Sequence, residues 1–168
     1  MNNLIIKAFR FADKQHAGQF RKVTGSDYIS HPLMVSYLVA AFKRSKHLEE
    51  LIVAAILHDV LEDTPTSFDV LAREFTPLVA SLVLELSSDK AEIARVGKLE
   101  YLKKKLVGMS SWALVLKLAD RLHNVSDHPT VQTLQDTRAL MGYLKANRKL
   151  TTSHKNLIVA IESRCAGE

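Results

Sequence analysis

Residues 51–64, LIVAAILHDVLEDT, are the stretch from which the rest of the chain is read. Leu51 to Leu57 are seven apolar residues in a row, enough to be buried on most faces of a helix. His58 and Asp59 follow at once, and Glu62 and Asp63 come one helical turn later. Placing ionisable groups at the end of a buried helix is costly unless something compensates them. A bound metal ion is the obvious compensator, and the rest of the chain supplies further candidate ligands.

The surrounding pattern is helical. Residues 2–17 place Ile5, Ala8, Phe9 and Ala12 on one face, at spacings of three and four. Residues 18–30, with Gly18 and Gly25, read as a loop. His31-Pro32 then opens a second helix with Pro32 at its first position, where a missing N–H costs nothing. Met34, Leu38, Ala41 and Phe42 form its predicted apolar stripe, and a third helix is predicted from about His47 to Val60. Thr66 is the expected cap of a short helix after Thr64-Pro65, and Thr76-Pro77 repeats a cap-then-proline signal. Residues 87–97 read as a polar stretch that includes a loop, 98–109 and 111–126 as helices, and the chain after His128-Pro129 as one or two more. No alternating strand, internal repeat or low-complexity segment interrupts this. The expectation is one all-α domain spanning residues 1–168, a bundle of about seven to nine helices.

Composition narrows the class. Apolar residues make up 47% and charged residues 24% of 168, which is a globular and not a disordered balance. No apolar run approaches the roughly 20 residues of a membrane span. The N-terminus mixes its apolar residues with Lys7, Arg10 and Asp13, unlike a signal peptide. A single Cys165 excludes an internal disulfide framework, and a cytoplasmic location is expected. The net charge of +5 raises nucleic acid as a partner, but the basic residues are scattered. The densest run, Lys103 to Lys105, reads as a solvated helix face. A modest positive field also suits a small anionic substrate, and neither a nucleic-acid nor a membrane partner is expected.

Two further residues complete a candidate metal set. His31 begins the second helix, and Asp120 follows an apolar stretch in WALVLKLADRLHN, residues 112–124. His31, His58, Asp59 and Asp120 would supply two imidazoles and two carboxylates, leaving positions for water or substrate. Glu62 and Asp63 are the natural general acid/base and water-orienting groups. Taken singly, each residue has a plainer reading: a hydrogen-bonded His-Asp pair, a chance His before Pro, a surface Asp. Taken together, the order His, His-Asp, Asp across three helices resembles the pattern of the HD-domain metal-dependent phosphohydrolases, and that resemblance favours the metal.

Three runs carry a resemblance. Ala12, His16, Gly18, Gln19, Arg21, Lys22, Gly25, Tyr28, Ile29, His31 and Pro32 match AxxxHxGQxRKxxGxxYIxHP; residues 56–64 match LLHDxxEDT; residues 117–124 read KLADRLHN. The chain resembles the HD hydrolase domain of the RelA/SpoT family over most of its length, and looks like a stand-alone small alarmone hydrolase. The resemblance implies one Mn²⁺ ion and hydrolysis of the 3′-pyrophosphate of (p)ppGpp to GDP or GTP. It implies His31, His58, Asp59 and Asp120 as ligands, with Glu62 and Asp63 positioning the nucleophile and handling protons. Arg21 and Lys22 match a nucleotide-contacting pair. Asn124 is a candidate for a ribose or phosphate oxygen, Lys117 a support for Asp120. Tyr28 is expected to pack beside His31, with a substrate contact as its second role. Arg138 and Tyr143 are candidates for the distal phosphates or base. Asp27 stands where the family often has Pro, and the C-terminal third matches poorly.

Mixed nitrogen and oxygen ligands by themselves suit Fe²⁺, Co²⁺ or Zn²⁺ as well as Mn²⁺. Alternative functions are a 2′-phosphatase of NADPH or another nucleotide phosphohydrolase, and a module that binds alarmone without turnover.

Overall fold

In the computed structural model, which describes residues 3–167, all regular structure is helical apart from one isolated antiparallel bridge, Phe20 to Asp27. The all-α expectation holds. The helices are α1 (Asn3–Gln15), α2 (Ser30–Phe42), α3 (Leu48–Ile56), α4 (Val60–Asp63), α5 (Phe68–Glu74), α6 (Pro77–Leu86), α7 (Lys90–Val96), α8 (Lys98–Gly108), α9 (Ser111–Ser126), α10 (Val131–Asn147) and α11 (Thr152–Ala166). Among the described residues no helix is long and apolar enough to cross a membrane.

The chain divides into two compact units, one ending at Ser87 and one beginning at Ser88. In the first unit α3 is central and packs against α1, α2 and α6, while α5 packs on α6. Its apolar sequence explains this: Leu51, Val53, Ala54, Ala55 and Ile56 are all buried. In the second unit α9 packs on α11, and α10 on α8 and α11. Leu114, Leu116, Leu118 and Leu122 of α9 and Leu157, Ile158 and Ile161 of α11 are buried.

Several local expectations are corrected. The buried face of α2 is His31, Pro32, Val35, Ser36 and Val39, whereas Met34 of the predicted stripe is 44% exposed. His31, Val35 and Val39 recur every fourth residue, so the face that packs on α3 turns His31 inward. Pro32 occupies the third position of α2, still within the first turn. Ser67, not Thr66, caps α5, its hydroxyl accepting from Val70 N at 3.4 Å. Thr66 instead shares a hydrogen bond with Thr64. The polar stretch 87–97 holds a loop at 87–89, as expected, and a helix over 90–96 that Asp89 caps by accepting from Glu92 N and Gly97 ends at φ 85°. Thr76 caps α6 with Pro77 at its first turn, as its sequence predicts.

Candidate metal centre

The predicted third helix does not run through to Val60. It stops at Ile56, and Leu57, His58 and Asp59 form a turn before the single-turn α4. The cause is local. In a continuing helix the N–H of residue 59 would bond the carbonyl of Ala55. That carbonyl is taken by His58 Nδ1 at 2.8 Å. The break displaces His58 and Asp59 from the helical positions their sequence suggests.

The hydrogen bond also assigns the ring. A carbonyl only accepts, so Nδ1 carries the proton and a neutral His58 presents a lone pair at Nε2. A backbone carbonyl on the far nitrogen is the usual support of a metal-binding histidine. Asp59 Oδ2 lies 2.9 Å from that Nε2 and 3.7 Å from His31 Nε2. The His31 and His58 ring centroids are 5.1 Å apart. Both imidazoles are almost fully buried, and the Asp59 side chain is 16% exposed. A carboxylate oxygen facing an imidazole lone pair at 2.9 Å is repulsive unless a cation or a proton joins them. These residues therefore fit a divalent metal by the chemistry of their donor atoms, and they form a candidate His/Asp metal site.

Tyr28 completes this cluster. Its hydroxyl donates to Asp59 Oδ2 at 2.6 Å, and its ring packs edge-on to His31 at 5.9 Å between centroids. The expected packing beside His31 is present, and the hydroxyl points to a candidate ligand. Glu62 and Asp63 are held by their own N–H groups on the Asp59 carbonyl, at 3.1 and 2.9 Å. Glu62 is half-buried and Asp63 exposed. Arg21 and Lys22 lie in the loop between α1 and α2, where Arg21 N bonds Ser26 O and Gly25 N bonds Arg21 O. Arg21 is half-buried and Lys22 exposed.

The remaining candidates belong to the second unit. Asp120 is 7% exposed on α9. Lys117 Nζ lies 2.9 Å from its Oδ2, and Asn124 Nδ2 donates to its Oδ1 at 2.5 Å. Lys117 thus supports the carboxylate, and the Asn124 amide is directed at Asp120. Arg138 donates to the Cys165 carbonyl near the end of α11. Tyr143 is 38% exposed, with Lys103 Nζ 5.6 Å from its ring centroid. The Lys103–Lys105 run is only partly a free solvated face, since Lys103 also pairs with Glu100 and Lys105 with the Tyr101 hydroxyl.

Sequence reading assigned no role to His16 or Gln19, although both stand in the first matched run. The structure gives them one. His16 is buried, its ring lies 4.8 Å from that of Tyr28, and its Nδ1 meets Gln19 Oε1 at 2.9 Å. Gln19 Nε2 in turn donates to the Asp63 carbonyl at 3.0 Å.

Two buried histidines and an aspartate, with the acidic pair Glu62 and Asp63 one turn on, form a candidate divalent-metal site. The family model described as "HD domain" matches residues 8–149, and the chain belongs to the HD domain family. Among curated relatives it is 33% identical over 158 residues to a guanosine-3′,5′-bis(diphosphate) 3′-pyrophosphohydrolase of Spiroplasma citri, covering 91% of this chain and 19% of the relative. It is 37% identical over 116 residues to a protein of the same name from Haemophilus influenzae, covering 66% of this chain and 16% of the relative. It is 38% identical over 124 residues to a GTP pyrophosphokinase of Streptomyces antibioticus, covering 72% of this chain and 14% of that protein. The chain thus spans less than one fifth of the length of these relatives. A solved structure described as a metazoan ortholog of SpoT that hydrolyzes ppGpp and plays a role in starvation responses superposes with a TM-score of 0.81. Its identity is 25%, with 98% of this chain and 94% of that one covered.

Proposed function

We propose that the protein is a cytoplasmic, Mn²⁺-dependent hydrolase that removes the 3′-pyrophosphate of (p)ppGpp, with residues 1–168 acting as one catalytic domain. The carrying observation is the His31–His58–Asp59 cluster, whose facing donor atoms call for a cation. The names of the pyrophosphohydrolase relatives and of the SpoT ortholog support the choice of substrate.

In this reading His31, His58 and Asp59 hold the ion, and Asp120 is the fourth ligand. The order of the motifs supports Asp120, as does its buried carboxylate, which faces the Lys117 ammonium and accepts from the Asn124 amide. When bound, the ion supplies Lewis-acid activation of water and of a phosphoryl oxygen. Glu62 and Asp63 orient the attacking water and move its protons. A water oxygen–phosphorus bond forms, the bond from phosphorus to the ribose 3′ oxygen breaks, and that oxygen takes a proton. The products are pyrophosphate and GDP or GTP. Arg21 and Lys22 supply charge and a stacking plane for the nucleotide. Asn124, Arg138, Tyr143 and the outer face of Tyr28 are the further candidate contacts.

The test is pyrophosphate release from ppGpp by metal-stripped protein, with and without added Mn²⁺, beside an Asp59→Ala control. Mn²⁺-dependent release that the control lacks is expected. No release from folded, metal-loaded protein would overturn the reading.

A further inference from the structure

The loop between α1 and α2 ties together two acidic residues that the proposed function uses for different purposes. One arm runs from the Tyr28 hydroxyl to Asp59 Oδ2. The other runs from Gln19 Nε2 to the backbone carbonyl of Asp63. The arms share their base: Tyr28 N donates to the Gln19 carbonyl at 3.0 Å, and Gln19 N donates to the His16 carbonyl at 2.9 Å. The His16 ring contacts both side chains, the Tyr28 ring at a tilt of 37° and Gln19 Oε1 through Nδ1.

Protons can be assigned along this chain. The Asp63 carbonyl only accepts, so Gln19 presents its NH₂ there and its Oε1 to His16. His16 Nδ1 must then carry the imidazole proton. His16 Nε2 is left as a bare acceptor, buried, with no hydrogen-bond partner among the described residues. An unmatched buried acceptor costs stability. An apolar ring would fill the same space without that cost. What the imidazole adds is the bond that holds Gln19 in the orientation facing Asp63.

We propose that His16, Gln19 and Tyr28 are positioning residues, with Tyr28 fixing Asp59 as a metal ligand and His16 acting through Gln19 to fix Asp63. This rests on the proposed roles of Asp59 and Asp63. It predicts two separable signatures, because only one arm ends on a ligand. Partners behind metal ligands typically change affinity or activity 10–100-fold.

The experiment measures Mn²⁺ affinity of the stripped protein by competition with a chelating dye, then kcat and KM for ppGpp, and the melting temperature without metal. Tyr28→Phe is expected to weaken Mn²⁺ binding about 10-fold or more and to lower kcat with KM unchanged. Gln19→Leu is expected to lower kcat several-fold with Mn²⁺ affinity unchanged, since its bond ends on the Asp63 carbonyl and not on a ligand. His16→Phe should keep or raise the metal-free melting temperature while lowering kcat as Gln19→Leu does. Wild-type affinity and kcat in Tyr28→Phe would overturn the proposal, as would a rise in KM alone, which marks a substrate contact. A His16→Phe protein that melts earlier yet keeps its kcat would overturn the second arm. If wild-type protein binds Mn²⁺ but does not act on ppGpp, the proposed substrate fails while the affinity arm still decides the role of Tyr28. If wild-type protein binds no metal, both readings fall before any substitution is made.

Discussion

Asp59→Asn should reverse its effect on stability according to whether metal is present. In the structure Asp59 Oδ2 faces His58 Nε2 at 2.9 Å while His58 Nδ1 donates to Ala55 O. With a neutral imidazole and no metal, the carboxylate meets a lone pair. An asparagine NH₂ in the place of Oδ2 has two hydrogens, one for His58 Nε2 and one for the Tyr28 oxygen, which now donates to Asp59. A repulsive contact becomes a hydrogen bond of ordinary net value, about 0.5–1.5 kcal/mol, so the metal-free variant should be more stable by about that much. With metal the order inverts. Wild-type protein gains RT ln(1 + [L]/Kd), about 2.7 kcal/mol at a free ion concentration of ~100 Kd, and the variant loses most of this with its anionic ligand. The assay is urea unfolding of both proteins at mildly alkaline pH, in chelator and in excess Mn²⁺. A variant that is less stable than wild type in chelator would refute the reasoning. That outcome would mean a proton already joins His58 to Asp59 as an ion pair.

Three other outcomes follow from the structure. His154 is fully buried in the capping box of α11; its Nδ1 accepts from Thr151 N and its Nε2 donates to the Ser111 carbonyl at the start of α9. His154→Phe removes both hydrogen bonds and should cost about 1–3 kcal/mol in urea unfolding, against under 1 kcal/mol if the pair is incidental. Gly18 sits at φ 79° with open space around it, so Gly18→Ala should lose about 1–2 kcal/mol through backbone strain alone, and an unchanged melting temperature would contradict that. The Lys7 ammonium, by hydrogen bond and charge, holds the exposed Glu74 carboxyl below its ordinary value of 4.5. A depressed carboxyl contributes stability above that value and loses it as pH falls through the folded one. Lys7→Met should therefore flatten the acid side of the stability profile below about pH 4.5, by a small and salt-sensitive amount.

Much of the site was legible because its residues break a local rule. His58, Asp59 and Asp120 follow runs of apolar residues, and ionisable groups so placed must be compensated. The helical class was legible from spacing alone, and the cap at Thr76-Pro77 from residue type. Failures came where neighbours compete for the same group. The break after Ile56 has no Gly or Pro to announce it; at that point the Ala55 carbonyl meets the His58 side chain, 2.8 Å from Nδ1. The α2 stripe was misplaced because His31 and Ser36, both polar, lie on the buried face. The helix over 90–96 was missed because its polar sequence buries nothing, and only its Asp89 cap and Gly97 stop mark it.

Sequence by itself determined the helical class, the family and the identity of the candidate ligands, because these depend on residue type, order and spacing. It also placed Lys117 and Asn124 one turn either side of Asp120, since helical geometry brings such neighbours together. Tertiary structure decided which atoms face one another: Asp59 Oδ2 between two imidazoles, the Tyr28 hydroxyl upon it, and Gln19 between His16 and Asp63. These contacts join residues as far as 44 positions apart, and no local propensity encodes them. They exist because burial of α3 brings α2 and the loop before it against the turn where the helix ends.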